Sequence, residues 1–158
     1  MAHFYPEKQE VDHADLIRQL EVYDGWALST ASTTLQYVIA LCPQDVRIAA
    51  WVKPFCSFKP GVNPAYAWEP LIWKSPRARG REMVTVRDWV ATSITLQKGL
   101  TGAKPDAFCY WLFELLNIQS GDTFDDLFPG TRAVSRAFDQ WIAARGIWEA
   151  GTETGVPA

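Results

Sequence analysis

The chain has 158 residues, of which 48% are hydrophobic and 21% charged, with a formal net charge of -3. That length supports one domain with its own core and excludes reliance on disulfide or metal staples. The slight acidity gives no general affinity for nucleic acid. Three cysteines (Cys42, Cys56, Cys109) and two histidines (His3, His13) exclude a closed disulfide framework and a compact zinc pattern, and point to a reducing compartment.

Residues 1–13 carry no apolar stretch, so no signal peptide is read there, and no run reaches transmembrane length. The expectation is a cytoplasmic protein with no membrane contact. Residues 12–22 place Leu16, Ile17 and Leu20 on one side of a short amphipathic helix, N-capped by Asp12. Trp26 to Thr30 reads as a short buried strand. Ser29, Ser32 and Thr33 offer caps for a helix running to Cys42, which Pro43 stops. Residues 46–52 form an apolar run typical of a strand buried on both faces.

Residues 53–66 hold three prolines and a glycine and read as a long functional loop. Residues 68–74 return as a strand, where Pro70 argues for an edge or a bulge. Residues 75–82 are a basic loop, and 84–96 fit either a strand or an irregular crossing. Residues 104–117 form a helix opened by Pro105. Residues 123–128 read as a strand, 131–147 as the last helix, and 149–158 as a flexible tail. Alternating helices and short strands predict an α/β domain over residues 1–148, with a mostly parallel sheet and helices on both faces. The eight Trp residues are read chiefly as core, some half-exposed at a binding surface.

The turn after residues 123–128 carries the first chemical signal. Gly130 lets the backbone turn and lets a ligand approach without a Cβ in the way. Free N–H groups at the next helix start face such a ligand. Lys74, Arg77, Arg79 and Arg81 form a cationic stretch that reads either as phosphate contacts or as a solvated loop.

Several stretches in order resemble the permuted DNA amino-methyltransferases of phage type, which methylate adenine N6 or cytosine N4. They are DGWALS (24–29), LCPQDVRIAAWVKP (41–54), WEP (68–70), GAKP (102–105) and DLFPGT (126–131). The resemblance implies a Rossmann-like methyltransferase fold and S-adenosylmethionine as cofactor. By that resemblance Lys104 and Pro105 open a helix under the cofactor, and Asp126, Phe128, Gly130 and Thr131 form its turn. Lys53 and Pro54 match the family's loop that borders the substrate. Trp68 and Glu69 are the nearest stacking ring and acceptor, although the resemblance also reads WEP as an ordinary strand. Apart from the resemblance, Arg77, Arg79 and Arg81 are read from their charge as phosphate contacts or a solvated loop.

Two departures stand against turnover. Arg132 replaces the family's last turn glycine and is expected to crowd the cofactor; donation from its guanidinium to the cofactor carboxylate is the alternative. The family's Asp-Pro-Pro-aromatic tetrad, which accepts the target amino hydrogens and stacks the flipped base, occurs nowhere in the sequence. In the family it lies on a strand just upstream of a segment like His3-Phe4-Tyr5, so the sheet is expected to be truncated by one strand at the N-terminus. The resulting expectation is a phage or prophage pseudo-methyltransferase that binds a host protein or DNA. An active S-adenosylmethionine-dependent DNA methyltransferase is the alternative. The missing strand leaves an open edge at Trp26 to Thr30, where a homodimer or a host partner is expected to pair.

Overall fold

The computed structural model describes residues 11–56, 59–95 and 103–152, with side chains up to Gly146. The N-terminal stretch before Val11 and residues 153–158 of the expected tail lie outside the described residues. Eight elements follow in order: α1 (His13–Leu20), β1 (Trp26–Ser29), α2 (Leu35–Ile39), β2 (Arg47–Val52), β3 (Trp68–Lys74), β4 (Trp89–Ala91), α3 (Asp106–Leu115) and α4 (Ala133–Thr152). No described helix is long and apolar enough to cross a membrane.

Local chemistry accounts for the first helix. The Asp12 carboxylate accepts the Asp15 N–H at 3.0 Å and satisfies one donor that a helix start leaves free. Leu16, Ile17 and Leu20 then share its buried side. The second helix runs only from Leu35 to Ile39, short of the expected Cys42, and starts after Thr34 with no side-chain cap from Ser29, Ser32, Thr33 or Thr34. The Thr34 side chain donates to the Ala31 carbonyl at 3.1 Å and meets the Thr30 hydroxyl, so it closes a turn in place of capping the helix.

The sheet corrects the expected architecture. Its order is β1-β3-β2-β4, with β3 antiparallel to both β1 and β2 and only β4 parallel to β2. It is a small mixed sheet, mostly antiparallel, and not the mostly parallel Rossmann-like sheet of a truncated methyltransferase fold. The reason lies in the connections. β1 and β2 run the same way and are joined through α2, as the alternation implies. However, β3 follows β2 through a loop with no helix between them, and such a link lets the chain reverse. The reversed strand slots between β1 and β2.

Two strand expectations change with it. β2 is not buried on both faces: Ala49 and Trp51 are buried, whereas Ile48 and Val52 are exposed. Pro70 sits in the central strand, not at an edge or bulge. The Pro70 carbonyl accepts the Thr30 N–H at 3.1 Å, but proline has no N–H to return. The β1–β3 ladder therefore stops at Ser29 opposite Leu71. On its other side Pro70 faces Ala50, whose own N–H goes to Asp88 of the segment leading into β4, at 2.9 Å. The proline thus costs the sheet a single bond.

Alternate strand residues feed two cores. Leu71, Trp73, Ala49 and Trp51 join a cluster with α3 and α4, whereas Trp26 and Ile72 join one with α1 and Val38 of α2. In the first cluster Phe113 is fully buried and packs its ring against Phe124, Phe138 and Trp141 at 5.4–5.5 Å. Trp26, Trp51 and Trp73 are core, whereas Trp68 and Trp89 are exposed.

The segment before α4 is the largest local correction. Residues 123–128 form no strand. Phe124 is pinned by stacking on Phe138 at 4.7 Å, but among the described residues no strand lies alongside. α4 begins at Ala133 rather than Thr131 and continues to Thr152, into the expected tail.

Candidate functional site

A cleft of about 1120 Å³ runs between β1, α1 and residues 121–131, floored by Leu71 of β3 and Phe108 and Leu112 of α3. Lys104, Asp126, Phe128, Gly130 and Thr131 all line it. Five of the six residues implied as cofactor contacts therefore line one cleft: four from the 126–131 turn and Lys104 from a segment distant in sequence. The sixth, Pro105, is the residue before α3 and carries Lys104 on its preceding side.

The turn is held by its own side chains. Asp126 accepts the Phe128 N–H at 3.3 Å and the Ser135 hydroxyl at 3.0 Å, which ties the turn to the first turn of α4. Gly130 takes φ +43°, a left-handed conformation that glycine adopts without strain. Arg132 takes φ +59°, where an L side chain is disfavoured. Its side chain is exposed, and Arg132 is not part of the cleft wall. Phe128 is 62% exposed at the rim, an apolar ring left open to a ligand.

Behind the cleft Lys104 enters a compact ionic group. Glu69 binds Lys104 through one carboxylate oxygen and Lys53 through the other, the latter at 3.0 Å. Both ammonium groups lie over the Trp51 ring, at 4.5 Å for Lys53 and 4.7 Å for Lys104. The register explains the meeting, because Glu69 stands directly opposite Trp51. Burial pushes the Glu69 carboxyl upward, but Lys104 and Lys53 together outweigh it and hold it below its ordinary range. Burial dominates at Lys104 and pulls its ammonium below the usual lysine range despite Glu69. Two cations share one carboxylate, so the group keeps a net positive charge. It also joins Lys104, on the cleft wall, to Lys53 and Glu69, which do not line the cleft themselves. Pro54 and Trp68 are exposed beyond them.

The cationic stretch is largely tied into the fold. Arg77 donates to both carboxylate oxygens of Asp122, at 2.6 and 2.8 Å, and to the Asn117 carbonyl. That hydrogen bonding holds the Asp122 carboxyl below its usual range. Arg79 binds the Glu114 carbonyl and carboxylate, and Lys74 pairs with Glu21 and Asp45. Arg81 is exposed. Arg77 alone of the three implied phosphate contacts borders the cleft.

Several site residues carry no signal in the sequence. Tyr23 and Asp125 both line the cleft, and the Asp125 carboxylate raises the Tyr23 phenol above its usual range. Trp51 lies under the two lysines, a contact only strand register reveals. Cys109 is no nucleophile, because burial pushes its thiol up to about 12. Compared with known proteins, the chain matches no family model, no curated protein and no solved structure.

Proposed function

We propose that this chain is a methyltransferase-like binding protein without turnover of its own. Its cleft receives S-adenosylmethionine at the Asp126–Thr131 end, and it acts by holding a host protein or DNA. The observation that supports this reading is the convergence of Lys104, Asp126, Phe128, Gly130 and Thr131 on one cleft. An adenosyl amino acid carries a planar ring, hydroxyls and a cationic sulfonium. The rim offers an exposed Phe128 ring for the first, and the carboxylates Asp125 and Asp126 favour the positive charge. The absence of an Asp-Pro-Pro-aromatic run in these 158 residues supports the lack of turnover.

Calorimetric titration with S-adenosylmethionine tests it. The parent chain is expected to bind with micromolar affinity, and Gly130→Val to lose at least tenfold. Labelled S-adenosylmethionine is expected to transfer no methyl group to DNA. A flat titration to millimolar ligand overturns the binding, and methylated DNA overturns the inactivity.

A further inference from the structure

β1 is the outer strand of the sheet. The Thr30–Pro70 bond sets the phase of its ladder, so Trp26 and Leu28 face β3 with their backbone groups, whereas Ala27 and Ser29 turn theirs outward. Among the described residues, nothing bonds the outward N–H and C=O groups of Ala27 and Ser29. All four β1 residues line the cleft. Its opposite wall, residues 123–127, makes no backbone–backbone hydrogen bond to any described residue. Two stretches of backbone without partners among the described residues therefore border one cavity.

We propose that an extended segment of a partner polypeptide inserts between these two walls as an added strand, with basic side chains directed to the rim. A helix satisfies its own backbone and leaves both walls unpaired; only an extended chain offers donors and acceptors on both of its sides. The size agrees. A five-residue strand, about 17 Å long, 4.8 Å wide and 10 Å thick, fills on the order of 800 Å³. That leaves roughly the ~300 Å³ of a small ligand site at the turn end. The charge of the partner follows from the rim. Arg77 and Lys104 are already paired, with Asp122 and Glu69, whereas no described cation forms a salt bridge with Asp24, Asp125 or Asp126. A second folded copy is a poor occupant, because its own β1 lies within the same cleft, walled by α1 and residues 121–131. The insertion also gives a neighbour to residues 123–127, which have none among the described residues.

The test uses the full chain without S-adenosylmethionine, so its outcome is separate from the ligand reading. The probe is an octapeptide of alternating Lys and Val, with an alternating Glu and Val peptide and a backbone N-methylated Lys–Val peptide as controls. Binding is read by fluorescence anisotropy and by amide hydrogen exchange. The Lys–Val peptide is expected to bind at least tenfold tighter than either control. It is expected to slow exchange at least tenfold at Ala27, Ser29 and residues within 123–127. Ser29→Pro removes an outward N–H where the sheet does not need it, and is expected to weaken binding tenfold while the fold persists. Should that variant unfold, the N-methylated control carries the same question. Equal binding of all three peptides, no binding, or binding without protection at these amides overturns the proposal. A dimer seen by light scattering that blocks the peptide replaces the partner with a second copy and also overturns it.

Discussion

The β1–β3–β2 region and the 122–132 segment begin from similar sequence and end differently. Both are expected as strands from sequence, although 123–128 is interrupted by Asp125 and Asp126. Residues 68–74 gain partners on both sides and become the central strand, even with Pro70 inside. Residues 123–128 keep only side-chain anchors, Phe124 in the core and Asp126 on Ser135, and form no strand. The contrast teaches that a strand is decided by its neighbours more than by its own residues. It also separates two kinds of stability in one small molecule: a laddered region that holds the ionic group, and an anchored but unladdered wall that shapes the cleft.

Removing the shared anchor breaks the comparison most severely. Phe113→Ala empties the centre of the α3–α4 cluster, and is expected to cost about 3–5 kcal/mol in urea unfolding. It also frees Phe124, so the cleft wall loses its order before the sheet does.

Glu69→Gln acts on the laddered side alone. It leaves Lys53 and Lys104 without their carboxylate and is expected to cost about 2–3 kcal/mol at pH 7, less than a fully buried pair because Glu69 is one-fifth exposed. The sign of its pH dependence follows from the direction of its shift. The folded carboxyl is held low, so its stabilisation is fully present above the unfolded value of about 4.3 and is lost as pH falls through the lower folded value. Unfolding measured between pH 7 and pH 3 is expected to show that decline in the parent and a flatter profile in Glu69→Gln. Equal slopes remove Glu69 from the account.

The smallest effect sharpens the unladdered side. Arg132 occupies a left-handed conformation that glycine holds freely, so Arg132→Gly is expected to stabilise the chain by about 0.5–1 kcal/mol in thermal unfolding. A loss of stability instead means that the Arg132 side chain contributes contacts that outweigh the strain.

Much of the fold was legible residue by residue. Asp12 as a cap, the apolar side of α1 and the helix opened at Pro105 depend on neighbours three or four positions away, and local spacing carries that information. The order of the sheet depends on where β3 lands after a loop, and no local pattern encodes that landing. Pro70 misleads for the same reason: a proline is tolerated in a central strand when the missing N–H falls at a ladder's end, which only the pairing reveals. At the site, the sequence reading grouped Lys104 with the 126–131 turn, and both line one cleft. The Glu69 ion pairs and the Trp51 platform arise from strand register, and the pairing of Tyr23 with Asp125 on one cleft arises from tertiary placement. The roles of Arg77 and Arg79 were obscured because charge in sequence does not say whether a carboxylate waits nearby.

Native-state amide hydrogen exchange on the free chain measures the contrast between the two regions directly. Ladder amides facing a partner strand, such as Leu28, Ala49 and Trp51, are expected to exchange at least about a hundredfold more slowly than Ala27, Ser29 and residues 123–127, because only the former must break a sheet hydrogen bond to open. Equal protection of residues 123–127 and the β1–β3–β2 ladder contradicts the account, since it means the cleft wall is already paired.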